Sequence, residues 1–559
     1  MSSTSPTSPT TRRLGAAGLV LAAATFAGLT ARADGPDSPG GRPHRVHALV
    51  DARIVLRPGE VLERGVIVIR DGVVEAVGAD VIPPPDARVW DLRGLTVYPG
   101  LIEPYLRLDD GRRGGPRGDD DHDHEPAPAP KGPRKGAVHD NPKVTPERSI
   151  AQELALSSDT LDGLRRAGFT AALVVPERGV LRGESALVSL RDGSAREQVV
   201  AARVAQHVAL ERGGWGARAY PGSLMGAMAL VRQTLRDAQH HRAATAAYAE
   251  DPLGQERPET NVSLDALAPV LARERPVFVE ADDAQMLLRA TALLGEFDLV
   301  PTVVLGAHDA HRWLGEVVAT GAPLVLSLNF APPPRWDGPD EAETVPLRAL
   351  RAWWLAAEEP ARLADAGVRF AFTTQGLADR GDWRARARQA IARGLPEEVA
   401  LAALTTAPAA LLRAPRLGVI APGSLASLTV TDGPLFAEDT SVVEVWVDGV
   451  RHLTRRGPPA PKDLAGAWQI ELESGAVVRL ALEARRGGLE ARLGDDAPDA
   501  RRAEARLWRD RLELVLPADL AGTERDATLT LRVDGPRLLG RYEANAGGGE
   551  ALGRHGGAA

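Results

Sequence analysis

Short runs of alternating apolar and polar residues occupy positions 45–97: Val46 to Val55, Gly65 to Ile69, and Val73 to Val77 after an Asp71-Gly72 turn. Period-two patterning between turn residues predicts strands of a small antiparallel sheet. The signature returns at Leu428 to Thr431 and at Val442 to Val447, where Asp448-Gly449 supplies the turn. The residues between these blocks are patterned differently. Apolar, β-rich runs at Ala171 to Val175, Val277 to Glu280, Thr302 to Leu305, Leu324 to Ser327 and Arg369 to Thr373 alternate with helical stretches rich in Ala, Leu and Arg. Alternation of strand and helix predicts a parallel sheet, and over this length the expected fold class is α/β with a (β/α)8, TIM-like barrel at 98–411.

Between residues 109 and 146 the pattern collapses into Gly, Pro, Asp, Arg and Lys, which predicts an exposed, disordered insertion directly after the first barrel strand. Pro458-Pro459-Ala460-Pro461 then marks a linker. Beyond it, Val478 to Leu482, Leu489 to Leu493, Leu512 to Leu516 and Thr528 to Val533 alternate with period two. A separate C-terminal antiparallel all-β domain, a small barrel or sandwich, is expected at 462–559. Its Gly466-Ala467-Trp468 start resembles that of a lipocalin-like module.

The N-terminus changes the picture of location. Arg12 and Arg13, an apolar run from Leu14 to Leu29 and the small-x-small site Ala31-Arg32-Ala33 read as a signal peptide over 1–33, so the chain is expected to be exported to a periplasmic or extracellular space. Thr11-Arg12-Arg13 partly matches a twin-arginine signal, but Gly15 stands where that pattern wants a bulky apolar residue. No later apolar stretch is long enough to span a membrane. The formal charge is −8, and cleavage after Ala33 leaves 64 basic against 75 acidic residues, or −11. Such a chain is a poor polyanion binder, so no nucleic-acid partner is expected. The absence of cysteine excludes disulfides and thiolate metal sites.

A resemblance sharpens the expectation. Ile69 to Gly78, Val89-Trp90-Asp91-Leu92-Arg93-Gly94 and Val97 to Arg107 resemble the beginning of a metal-dependent amidohydrolase. Leu404-Thr405-Thr406-Ala407-Pro408-Ala409 with Leu417 to Leu428 resembles its end, although Ala426-Ser427 replaces the usual Ala-Asp. The resemblance is nearest to the imidazolonepropionase-like exported members and covers residues 45–455. It implies a composite β-sandwich built from 45–97 and 412–455, packed beside the barrel. The implied activity is hydrolysis of carbon-nitrogen bonds in small cyclic or linear amides.

It also implies a metal centre: a His-x-His after the first strand, often a carboxylated lysine on the fourth, histidines after the fifth and sixth, and an aspartate after the eighth. Neutral imidazoles hold a divalent ion that makes hydroxide available near neutral pH, and the aspartate moves the proton. In this chain Tyr105 and Arg107 stand at the first pair, Glu280 at the fifth strand and Gln375 at the eighth. A phenol is a poor ligand at neutral pH, a guanidinium repels cations, and glutamine takes no proton. The only lysines are Lys131, Lys135, Lys143 and Lys462, so no barrel strand after the first can supply a bridging carbamate.

The expectation is therefore a family member degenerate at its metal centre, without a cofactor, that binds a small-molecule ligand or serves as a scaffold. Arg107, Arg178 and Arg182 are candidates for a basic lining, although Pro176 to Gly183 also reads as a tight, Gly-bounded loop. The alternative is an active hydrolase with a rebuilt mononuclear site for a divalent metal such as zinc, using His308, His311, Glu280 and Asp282. Asp119 to Glu125 could chelate a cation or be a solvated acidic run. His240-His241 diverge by about 100 degrees on a helix and read as surface residues. Trp468 and Trp508 read as core of the β domain rather than a carbohydrate platform, and that domain's partner is not legible.

Overall fold

The computed structural model describes residues 45–108, 136–210, 220–334, 344–454 and 464–556, apart from 474, 486–487, 495–500, 509–510, 524, 535–536 and 545–546. The signal segment, the acidic run Asp119 to Glu125 and the linker at 458–461 lie outside the described residues. Among those described, no helix is long and apolar enough to cross a membrane.

The N-terminal flank forms β1 (Val46–Arg57), β2 (Glu60–Arg70), β3 (Val73–Gly78), β4 (Arg88–Asp91) and β5 (Thr96–Pro99). The barrel region carries β6 (Leu101–Leu106), β7 (Phe169–Val174), β8 (Leu181–Glu184), β9 (Ala186–Ser189), β10 (Val199–Ala201), β11 (Gln206–Ala209), β12 (Val277–Ala281), β13 (Thr302–Leu305), β14 (Leu324–Ser327) and β15 (Phe370–Thr373). The C-terminal flank adds β16 (Leu428–Thr431), β17 (Val442–Val447) and β18 (Val450–Leu453).

Both flanks join one eight-stranded sheet, ordered β18-β17-β16-β5-β1-β2-β3 with β4 also on β1. The junction is the antiparallel pairing of β16 with β5, Thr431 opposite Thr96. β4 pairs with one half of β1 and β5 with the other, and Asp51 between them has φ of +60°. Such a bulge bends a strand and lets it serve two partners on one side. Leu49, Ile54, Ile67, Val97, Leu428 and Trp446 form the wholly buried core.

The two hairpin turns read from sequence meet each other. Asp71-Gly72 and Asp448-Gly449 each have φ of 49° then 79°, the left-handed pair that a two-residue hairpin needs. A Cβ on Gly449 would lie 2.9 Å from Gly72 Cα, and one on Gly72 would lie 2.7 Å from the Asp448 carbonyl oxygen. Gly449→Ala is therefore expected to cost about 2 kcal/mol, from left-handed strain plus displacement of the facing turn. Urea denaturation checks this; a loss below about 0.5 kcal/mol means the turns do not hold the flanks together.

In the barrel region a six-stranded sheet runs β15-β14-β13-β12-β11-β8, and a four-stranded sheet runs β10-β9-β7-β6. β11 through β15 are parallel neighbours. Helices Leu224–Glu250, Ala284–Gly295, Leu314–Thr320, Leu347–Ala356 and Glu359–Asp365 lie between them in sequence. Nearly every residue of these strands is buried, which is why β12 to β15 read as apolar runs. The two sheets meet where Glu103 of β6 accepts hydrogen bonds from Thr373 and Thr374 at the end of β15.

Two expectations need correction. The regular eightfold alternation breaks between β7 and β11, where β9 runs antiparallel to β7 and β8 antiparallel to β11. That stretch holds one helix of four residues, Ala195–Gln198, and a parallel crossover needs a dozen or more. The insertion was expected to extend to residue 146, yet residues 141–146 are partly or wholly buried. Val144 is wholly buried and bridges Leu181, the Lys143 carbonyl accepts from Val180 N, and Lys143 Nζ donates to the Pro221 carbonyl.

The C-terminal strands close into an eight-stranded, all-antiparallel barrel in which each strand pairs with the next and the last, Gly547–Gly556, returns to the first, Gly466–Leu472. Closure leaves no free edge. In Arg511–Leu516 the alternation is complete: Leu512, Leu514 and Leu516 point inward, Arg511, Glu513 and Val515 outward. Trp468 is in this core and donates Nε1–H to the Leu464 carbonyl. The Trp508 side chain lies outside what is described.

Candidate functional site

Parallel register brings the carboxyl ends of β12 to β15 to one side, and β6 joins them through the Glu103 seam. On β12, Phe278 and Glu280 are two apart and share a face. His207 of β11 stands opposite Phe278 in the ladder, ring centroids 5.3 Å apart, and 5.8 Å from the Tyr105 ring. Arg182 comes from β8, beside β11.

These residues converge on one carboxylate oxygen. Tyr105 OH donates to Glu280 Oε1, Arg182 Nη1 donates to the same atom at 2.6 Å, and Arg107 Nη2 lies 3.5 Å from it. Arg182 is wholly buried and also donates Nε–H to the Gly179 carbonyl. Burial alone would raise the Glu280 pKa, but the charges of Arg182 and Arg107 and the Tyr105 hydrogen bond outweigh it and hold the carboxyl below its usual range. Burial and the neighbouring carboxylate push the Tyr105 phenol well above its usual value. The centre thus holds a fixed carboxylate, a fixed phenol and two guanidiniums.

Such a set does not fit a divalent cation, because the single anionic ligand is already saturated by N–H and O–H donors and two positive charges flank it. The alternative metal set is not brought together either. His308 Nε2 is 2.6 Å from the Ser327 carbonyl, which requires that nitrogen to carry the proton. His311 turns away on the short helix Ala310–Trp313, its Nδ1 2.9 Å from Glu359 Oε2, and Asp282 is exposed. Among the described residues no three His, Cys, Asp or Glu side chains group around a common point. Three-residue spacing put both histidines near the mouth, but their partners lie on different elements.

Gln375 follows β15 as expected, and its carbonyl accepts from Ser327 Oγ. Of the three arginines expected to line the mouth, Arg178 is exposed on the loop after β7 and Arg107 is about a quarter exposed. Arg182 is a correction: it lies inside β8 and is occupied by Glu280. His240 is exposed, while His241 pairs with Asp265 at 3.0 Å.

Two buried groups had no role in the sequence reading. Glu103 accepts from Tyr105 N, Thr374 N and both threonine hydroxyls, and its signal was a carboxylate inside the apolar run Leu101 to Leu106. His207 lies in Gln206–Ala209, too short and mixed to read as a strand. It is 1% exposed, its Nε2 has no hydrogen-bond partner among the described residues, and burial followed by the Arg182 charge pulls its pKa down to about 3.

A histidine depressed in the folded state contributes stability that is present above pH 6.5 and lost as pH falls toward 3, because only the unfolded chain takes up the proton. At about 1.36 kcal/mol per unit, the loss between pH 6.5 and 4 is roughly 3 kcal/mol. Comparing wild type with His207→Phe across that range isolates it. The variant is expected to lose stability less steeply, and parallel curves would remove His207 from the account.

Residues 357–457 match the amidohydrolase family model. A search of curated proteins gave no match. Among solved structures, an amidohydrolase from Thermotoga maritima MSB8 is similar at 21% identity and a TM-score of 0.56, covering 73% of this chain and 100% of that one. A prolidase complexed with N-methylphosphonate-L-proline aligns at 18% identity and a TM-score of 0.43 over 73% and 100%. A β-aspartyl dipeptidase from Fervidobacterium islandicum AW-1 aligns at 13% and 0.37 over 74% and 97%. Residues 357–457 are thus similar to the amidohydrolase family, and over 73% of its length the chain shares its fold with the T. maritima protein.

Proposed function

We propose that this chain is an exported, imidazolonepropionase-like amidohydrolase with a (β/α)8 barrel whose metal centre has been replaced by an ion-pair network. It binds a small molecule or serves as a scaffold instead of performing the family's metal-assisted hydrolysis of carbon-nitrogen bonds. One observation carries the reading: Glu280, at the family's ligand position, is held by Tyr105, Arg182 and Arg107. Metal-assisted hydrolysis needs a Lewis acid to deprotonate water and a base to pass the proton on. Guanidiniums cannot bind and ionise a water as zinc does, and Gln375 cannot accept the proton.

The test is a substrate panel for dihydroorotase, imidazolonepropionase and dipeptidase activities, run with and without chelator. No chelator-sensitive turnover is expected, and turnover abolished by the chelator would falsify the proposal. Export rests on Arg12-Arg13, the run Leu14 to Leu29 and Ala31-Arg32-Ala33. Mass spectrometry of secreted material should find Asp34 at the N-terminus, and a retained Met1 rejects cleavage.

A further inference from the structure

Around Glu280 the charges do not cancel. Arg182 and Arg107 bring two positive charges to one carboxylate, while Tyr105 stays protonated and His207 neutral. Summed over Tyr105, Arg107, Arg182, His207 and Glu280, the charge is one positive. Arg182 is wholly buried and committed to Glu280 and Gly179. Arg107 is different. Its side chain is 26% exposed, and its one contact among the described residues is the 3.5 Å ion pair, which is not a hydrogen bond. Five N–H donors in a planar fork are thus uncommitted within the described structure.

We infer that Arg107 binds a monocarboxylate at the barrel mouth, with Glu280 and Arg182 as its fixed support; this rests on the metal-free reading above. A guanidinium fork matches a carboxylate with two parallel hydrogen bonds, which a point charge cannot do. A monoanion balances the charge of these five residues, whereas a dianion would leave excess negative charge in a partly buried place. Arg178 stands on the neighbouring loop, because Val175 N bonds the Leu106 carbonyl and sets the ends of β6 and β7 side by side. It adds positive potential at the rim of a chain that is acidic overall.

The experiment follows the thermal midpoint of the full chain in sodium acetate and sodium benzoate, each against sodium chloride of equal ionic strength. A saturable rise specific to the carboxylates is expected. Arg107→Met should weaken the apparent dissociation constant about tenfold or more, and Arg107→Lys, which keeps the charge without the fork, should fall between. A ligand-free midpoint for Arg107→Met close to wild type shows that the variant folds. A rise no larger than that in chloride, or an unchanged dissociation constant in Arg107→Met, overturns the inference. Chelator-sensitive hydrolysis by the same preparation overturns the metal-free reading beneath it, so the two failures are told apart.

Discussion

Glu280→Ala is expected to lower unfolding stability by about 3 kcal/mol, the lower end of the cost of breaking a buried ion pair from one side, since Arg182 is wholly buried and Glu280 one-fifth exposed. The magnitude comes from what is left behind. Arg182 has no exposed surface and would keep its charge while losing the Glu280 carboxylate, and the Tyr105 hydroxyl would lose that acceptor. Glu280→Gln keeps an acceptor without the charge and should fall between. Glu280→Leu combined with Arg182→Met removes both charges and should recover much of the loss, since replacing a whole buried pair with apolar groups is often neutral. Urea unfolding of these proteins, with the Glu280→Leu and Arg182→Met single variants added to close the cycle, gives the coupling directly. A Glu280→Ala loss under about 1 kcal/mol would mean that the network does not hold β6, β8 and β12 together.

A second large loss is expected at Glu103. Its carboxylate accepts from Tyr105 N at 3.0 Å, Thr374 N at 2.9 Å, Thr374 Oγ1 at 2.6 Å and Thr373 Oγ1, and it is wholly buried. These bonds staple β6 to β15. Glu103→Ala takes the acceptor from two backbone N–H groups and the Thr374 hydroxyl, while Thr373 Oγ1 keeps the Tyr105 carbonyl at 3.4 Å; at about 1–3 kcal/mol per group that stays unsatisfied, about 3 kcal/mol or more is expected in all. Burial raises the Glu103 pKa, and the four donors offset only part of that. A carboxyl raised in the folded state contributes stability that is full below pH 4.5 and lost as pH rises through the folded value. Glu103→Gln should therefore show a smaller decline on going from pH 4 to pH 7. An unchanged decline would place the seam's stability elsewhere.

How legible each part was depends on how its residues are buried. Strands covered on both faces must be apolar throughout, and so Thr302–Leu305 and Leu324–Ser327 stand out as runs. The hairpins at Asp71-Gly72 and Asp448-Gly449 are legible because a two-residue turn restricts its residues to those that tolerate positive φ. β8 is not legible. Leu181-Arg182-Gly183-Glu184 reads as loop because its charged residues are buried by partners far away in sequence: Glu280 for Arg182, Arg275 and Arg203 for Glu184. That Tyr105, Arg107, Glu280 and Gln375 stand at the positions named by the resemblance was an expectation from sequence alone. That three of them form one network was not, because it depends on β6 and β12 facing each other across the interior. His308 and His311 misled for the opposite reason, since spacing brings side chains near one another without setting their direction.

The most direct test is diffraction at the zinc edge from crystals grown with excess zinc. The account predicts no anomalous peak among Tyr105, Arg107, Arg182 and Glu280, because their polar atoms are donors or are already engaged. A strong peak there, with protein ligands at about 2.0–2.2 Å, would contradict it.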